Sequence, residues 1–538
     1  MNVKNYNAHA AILISLTVGL ISAAVFLALP TQQYSGDGMR YYATISGLAP
    51  AELSGTNHLL YAPLARAYFS LATALGAVPS FQLAQTMNAL FGGAALACFV
   101  FILLSLSQRS VLAVAASVAL GFARAFSLHA ADMTEPMPGV FLSLLGMAFV
   151  VVALEKPCHI FLFSIFSGVA IGAASALYQS NVFTVFGAAS FILLAAKVSF
   201  RQRMTAAILC ICMAACVAVG LYIAAFMTIG KIPSVPEALR ATFITENELT
   251  QGIYQEIGLR RVGVLIFGLA DSMFGLRFID GQSANFFKDG LTPRVLWTLA
   301  LVAWSVIALA AILFVAFRSR RLSTRTNRLI LACAIWLVPQ FGLLLFFGAR
   351  YSKLWILPLA TLLIILVLVV NQTYPQQVSR GVFWGMWIAP IVIGGLLFNL
   401  MPDHINPNPA VQAAQKINAQ LTERDLVITQ WGGLPYTPVP RMQTVGLVPL
   451  AIDAKLSAVD ALDKLSQFIS ATQNSGGTVY FYELLDYSEI EWQPFFRDRL
   501  RVPYTSFDSY RTHSQKVMLV GTTSPDGAPL YLWRFQMP

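Results

Sequence analysis

Along most of this chain polar positions are rare and bunched. Between the bunches lie continuous apolar runs of roughly 18 to 24 residues, the length that crosses a hydrocarbon core. The runs fall at about 10–30, 82–106, 110–128, 136–154, 159–177, 181–198, 206–229, 294–317, 328–348, 353–370 and 381–400, and they predict eleven spans. Because lipid cannot satisfy open backbone groups, and because the runs are continuous rather than alternating, these spans are helices and not barrel strands. One further stretch, 58–78, reads HLLYAPLARAYFSLATALGAV and carries Arg66 mid-way with Pro63 before it. That pattern predicts a helix at the interface rather than a crossing. After about residue 400 the pattern changes. AVQAAQKINAQL has the period of an amphipathic helix, whereas DLVIT, TVYFYELL, KVMLVG and LYLWRF are strand-like. The expected class is an all-α polytopic membrane protein of about eleven transmembrane helices (1–400) with a small extracytoplasmic α/β domain (401–538).

Composition agrees with this pattern. Of 538 residues, 57% are hydrophobic and 11% charged, against about 25% charged in soluble domains. The net charge of +10 does not indicate nucleic-acid binding, because the excess sits in short loops without interleaved aromatics. It sets orientation instead. With the N-terminus inside, Arg109, Lys156, Arg201, Arg203, the run RSRRLSTRTNR and Arg380 all fall on the cytoplasmic side, and the C-terminus falls outside. The first run lacks an A-x-A site and is expected to be retained. The compact loops suit a bacterial inner (cytoplasmic) membrane. Six cysteines form no C-x-x-C pair and imply no disulfide framework.

This topology creates outer loops at 31–81 and 230–293, the second containing VGVLIFGLADSMFGL, expected to lie in or dip into the membrane. The first opens with Asp37, followed by Arg40, Tyr41 and Tyr42, and continues through His58 to Arg66. A short outer turn, SLHAADMTEPMPG, carries Asp132 and Glu135 after His129. Gly-Asp-Gly is also ordinary turn chemistry, and Glu135-Pro136 is an ordinary helix start. The topology nevertheless puts both acidic loops at one depth on one side, where carboxylates can activate a hydroxyl or position a cation. Arg260 and Arg261, and then Arg350, Tyr351 and Lys353 in FGARYSKLWILP, bring positive charge to the same face. Such residues can snorkel to headgroups or grip a lipid-linked phosphate. Asp132 and Glu135, without His or Cys partners, would suit Mg²⁺ or Mn²⁺ rather than zinc if a metal binds. His58 has a structural role or touches an acceptor.

The ordered landmarks GDGMRYYATISG, NHLLYAPLARAYFSLATALG, DMTEP and ARYSKLWILPLATLLI resemble those of the GT-C superfamily. The resemblance is to the branch of dolichyl-phosphate-mannose–protein mannosyltransferases and bacterial lipid A aminoarabinose transferases. It covers about the first 150 residues and the span near 350. It implies transfer of a sugar from a polyprenyl-phosphate carrier to a glycan, lipid or protein acceptor on the periplasmic side. Asp37 would match the acid after span one, Pro63 and Leu64 the interfacial segment, Asp132 or Glu135 the second acid, and Arg350, Tyr351, Leu357 and Pro358 the late motif. It also implies an inverting displacement with Asp37 as base and Arg260, Arg261, Arg350 or Lys353 stabilising the departing phosphate. The chain departs from the family in two places. Gly38 follows Asp37 where the family often has a second acid, which implies a one-carboxylate site. Ala62 stands where a basic residue often precedes the Pro-Leu, a role that Arg66 could take.

Three other functions are compatible with a polytopic chain. A transporter would carry mid-span charges and matched halves, and here mid-span charges are nearly absent and the halves differ. A polymerase or ligase of lipid-linked oligosaccharides would also have a large outer loop. A scaffold would work through its tail.

Overall fold

The computed structural model describes residues 8–32, 36–46, 59–194, 198–229, 232–238, 259–275, 303, 323–345, 351–373, 388–389, 391–405, 409–430, 442–447, 450–451, 457–482, 484–492, 496–497, 501–523 and 529–536. Among these, seven helices are long and apolar enough to cross a membrane, or eight if one bent pair counts as a span. The chain begins with α1 (Ala8–Ala28), then α2 (Gly36–Ile45), α3 (Tyr61–Ala74) and α4 (Phe81–Ser107). Then follow α5 (Ser110–Phe122), α6 (Arg124–Ala131), α7 (Pro136–Glu155), α8 (Ile160–Leu177), α9 (Thr184–Leu193) and α10 (Phe200–Thr228). After α11 (Leu259–Phe274) come α12 (Thr324–Leu343) and α13 (Ile356–Thr373).

Local chemistry sets several of these boundaries. Ser80, Ser199 and Ser323 each accept a backbone N–H of the first turn at the starts of α4, α10 and α12, and Ser199 with Gln202 completes a capping box. Pro136 opens α7, where its missing N–H costs nothing. Helices pack closely where glycine removes a side chain: a Cβ on Gly93 of α4 would lie 2.5 Å from the Gly19 carbonyl of α1, and one on Gly168 of α8 would lie 2.5 Å from the Cys210 carbonyl of α10. α13 is enclosed on nearly all sides, whereas α1 and α10 leave most of their apolar surface turned outward. Leu13, Leu20 and Ile208 are among the residues projecting there, as a lipid-facing surface requires.

Two expected spans turn out differently. The run at 110–128 breaks at Ala123, and its two parts meet at 66°. Arg124 sits at that break, so this run does contain a charge, satisfied by an ion pair with Asp403 rather than by solvent. The run at 181–198 becomes a short 3₁₀ turn and α9, which stops at Leu193, too short to cross alone. The stretch 58–78 contributes only the 14 residues of α3, as its Arg and Pro predicted. The stretch VGVLIFGLADSMFGL is helical as α11. The run at 294–317 lies outside the described residues apart from Ala303, and much of that at 381–400 does too.

The last part of the chain holds a five-stranded mixed sheet of order β2-β1-β3-β5-β4. Its strands are β1 (Leu426–Thr429), β2 (Gln443–Gly446), β3 (Val479–Phe481), β4 (Ser514–Thr523) and β5 (Pro529–Phe535). β1 pairs in parallel with β2 and β3, and β5 runs antiparallel to β3 and β4. All four residues of β1 are buried, because helices cover both faces. Leu426 and Ile428 pack with Leu465 and Ile469 of α15 (Ala458–Asn474). Val427, on the opposite face, packs with Ile417 of α14 (Pro409–Gln420). The strands expected from DLVIT, TVYFYELL, KVMLVG and LYLWRF are all present. β2 was not expected.

Candidate active site

The site lies where α2, the α6–α7 turn and the N-terminus of α13 meet. Glu135 is fully buried as the residue that precedes Pro136 at the start of α7. Its side chain does not cap that helix. It forms an ion pair with the Lys353 ammonium instead. Lys353 sits in the 3₁₀ turn Ser352–Trp355 that leads into α13. On its other side the same ammonium reaches Asp37 Oδ2 at 3.4 Å. Asp37 is in the first turn of α2, with 54% of its side chain exposed, whereas Glu135 has none exposed. The two carboxylates therefore share one cation, 316 residues from Asp37 and 218 from Glu135 in sequence, but differ in access to solvent.

A second layer holds the buried half in place. His129 Nδ1 is 2.8 Å from Thr134 Oγ1, and His129 Nε2 is 3.1 Å from Ser352 Oγ. The imidazole thus ties the residue before Glu135 to the residue before Lys353. From α4, Asn88 Nδ2 donates to the carbonyls of Thr134 at 2.5 Å, Asp132 at 2.8 Å and His129 at 3.3 Å, while Tyr61 Oη donates to Asn88 Oδ1 at 3.4 Å. Asp132 is itself buried and ends α6 in an extended conformation. Burial pushes the Tyr61 phenol well above its usual range, and the Glu135 and Asp132 carboxylates nearby push it further. The Tyr178 phenol is raised by the same burial; Lys353 opposes that shift and Glu135 adds to it. Both phenols are hydrogen-bonding groups here, not acids.

Beside this cluster the chain is tied to its C-terminal part. Arg124, buried at the start of α6, pairs with Asp403. Thr31 N donates to Ala131 O at 3.0 Å, Gln32 N to Asp403 O at 2.7 Å and Gln85 Nε2 to Thr31 O at 2.9 Å. These bonds bring the end of α1, the end of α6 and the lead into the sheet to one place.

Of the residues singled out in the sequence, Asp37, Glu135 and Lys353 converge, with Asp132 one turn away. Tyr42 packs edge-on against Phe69 and Phe81, with ring centroids 6.0 and 5.5 Å apart, as part of the small core that joins α2 to α3. Arg66 projects from α3, exposed, and makes no ion pair among the described residues. Tyr351 is 48% exposed just before the Lys353 turn. His58 and Arg350 lie outside the described residues, as do the side chains of Arg40, Arg260 and Arg261, whose backbones belong to α2 and α11. Among the described residues no three His, Cys, Asp or Glu groups gather to hold a metal ion. A lysine ammonium stands against Glu135. Sequence reasoning missed Asn88, Tyr61 and Arg124. Gln85 and Asn88, polar side chains three apart on one face of an apolar helix, were the available signal.

No family model matches the sequence, and no curated protein matches it. Solved structures do. ArnT from Cupriavidus metallidurans, solved bound to undecaprenyl phosphate, superposes with a TM-score of 0.58 at 11% identity, covering 97% of this chain and 97% of that one. The oligosaccharyltransferase of Archaeoglobus fulgidus in its apo form gives 0.51 at 13% identity, over 98% of this chain and 74% of that one. Its complex with an inhibitory peptide and a dolichol-phosphate gives 0.52 at 12% identity, over 96% and 74%. At such identities the likeness is one of fold, shared with these two transferases.

Proposed function

We propose that this chain transfers a sugar from a polyprenyl-phosphate carrier to an acceptor at the outer face of the cytoplasmic membrane. The observation that carries the proposal is the convergence of an exposed carboxylate, a buried carboxylate and the lysine between them. The shared fold supports it, because proteins of that fold have been solved with undecaprenyl phosphate and with dolichol-phosphate.

Each group has a separate task. Asp37, half exposed, is the base: an acceptor hydroxyl loses its proton to Asp37 as its oxygen attacks the anomeric carbon. The bond from that carbon to the phosphate oxygen breaks, and the electron pair leaves with the phosphate, giving inversion. Lys353 neutralises the departing phosphate. No proton donor is needed, because phosphate is already a good leaving group at neutral pH. Glu135, held from solvent, keeps Lys353 charged and in place without competing for the acceptor. Asp132 holds the same turn in shape. Arg260, Arg261 and Arg350 remain candidates for further phosphate contacts. A lipid-linked donor reaches this place laterally, its tail among the helices and its head beside Lys353.

The N-terminus then lies in the cytoplasm and the C-terminal sheet in the periplasm, in accordance with the Lys- and Arg-rich turns at the opposite helix ends. The test is mass analysis of envelope glycolipids and glycoproteins from cells with the wild-type chain, with none, and with Asp37→Asn. A species that disappears in the last two, with normal insertion of the variant, supports transfer. A full product level in Asp37→Asn contradicts it.

A further inference from the structure

Close to the cluster, one buried side chain has nothing to bond with among the described residues. Gln340, in the last turn of α12 beside Pro339, is 3% exposed, and neither its Oε1 nor its Nε2 has a hydrogen-bond partner among the described residues. Side-chain amides buried in this way are uncommon, because the fold loses stability to keep them. Gln340 lines a crevice together with Lys353, Ser180 and Asn181, between apolar walls that include Phe183 and Leu357. The crevice has a free space of about 10 Å³, the room that one water-sized polar group needs.

Size and chemistry narrow the occupant. The two free atoms are one donor and one acceptor, so the matching group must both accept and donate. A hydroxyl does both and is of the right size. An acylamino substituent is several times larger, and a carboxylate or phosphate oxygen cannot donate. The crevice also has Lys353 on its wall, and on the reading proposed above Lys353 meets the phosphate that carries the sugar. A sugar on that phosphate therefore comes within reach of the crevice.

We infer that Gln340 is a specificity-determining residue that reads a single hydroxyl of the transferred sugar. This inference rests on the proposed glycosyl transfer. It adds that the donor bears a free hydroxyl, and no bulkier group, at the position facing α12. A donor lacking that hydroxyl would leave the amide unpaired in the bound state as well, which is how buried polar groups reject analogues.

The test is thermal unfolding of the purified full chain, as wild type and as Gln340→Leu and Gln340→Met, which replace the amide by apolar groups of similar size. The probes are undecaprenyl phosphate and undecaprenyl phosphate carrying glucose, mannose, galactose or arabinose. Without probe, the variants unfold at or above the wild-type Tm, since an unpaired buried amide is gone. Undecaprenyl phosphate raises Tm equally in all three chains. At least one of the sugar-bearing probes raises the wild-type Tm further, its affinity exceeding that of the bare carrier roughly 10-fold, and both variants lose that increment. An increment that persists in both variants overturns the inference, as does a wild type to which no sugar adds anything, which would leave the crevice to a water molecule. A wild type that does not respond to undecaprenyl phosphate itself contradicts the transfer reading instead, and this inference falls with it.

Discussion

The two carboxylates on Lys353 are held in opposite ways. Around Glu135 the structure over-determines position: the side chain is enclosed, its neighbour Thr134 is held by His129 and Asn88, and His129 also fixes Ser352 next to Lys353. Around Asp37 there is a ten-residue helix, a 3.4 Å contact and an open surface. Burial makes the first pair costly to disturb, because a charge left without its partner in a low-dielectric site destabilises the fold by about 3–5 kcal/mol. Exposure leaves the second carboxylate free to lose its partner and take up a proton. On the proposed reading, one end of the constellation sets the geometry and the other performs the chemistry.

Several substitutions would break or sharpen this contrast. The largest effect belongs to Asp37→Asn, which should lower transfer about 10²- to 10⁴-fold while leaving Tm near wild type. Transfer rates and thermal unfolding measured on one preparation check both halves of that statement. Lys353→Met should damage both properties, with a stability loss of about 3–5 kcal/mol because Glu135 is left buried and charged. Adding Glu135→Gln to Lys353→Met should restore much of the Tm and none of the transfer. If the double variant is as unstable as the single one, the buried pair is not what holds this turn.

Smaller effects come from the second layer. His129→Phe removes both bonds of the imidazole, and a shift of Lys353 by about 1 Å would lower kcat about 10²-fold. His129→Gln, which can still bond at one end, should recover part of that loss in kcat, with KM little changed. A merely structural role for His129 would instead show as a lower Tm with kcat intact. Asn88→Ala releases three carbonyls from one donor and should cost about 1–3 kcal/mol of stability. Lys516→Ala, in the sheet and paired with Asp486 at 2.9 Å on an exposed surface, should cost at most about 1 kcal/mol and leave transfer unchanged.

Much of the architecture was legible in the apolar runs, because burial in lipid demands length and continuity. Reading failed where apolar content and helix length part company. The run at 181–198 is apolar to its end, yet α9 stops at Leu193, and the run at 110–128 hides the bend at Ala123 that brings Arg124 to Asp403. β2 was missed for a related reason: four residues, QTVG, paired in parallel with β1, carry no local signal of their partner. At the site, Asp37, Glu135 and Lys353 could be found because charge at a membrane boundary stands out. Asn88, Tyr61 and Gln340 could not, since an amide or phenol in an apolar helix shows its purpose only once its neighbours are known.

The most direct measurement of the central claim is release of undecaprenyl phosphate from undecaprenyl-phosphate-linked sugars by the purified chain in lipid vesicles, compared among wild type, Asp37→Asn and Lys353→Met. The account predicts release by the wild type with at least one sugar, and loss of at least about 10²-fold in each variant. Equal release by wild type and Asp37→Asn would contradict it.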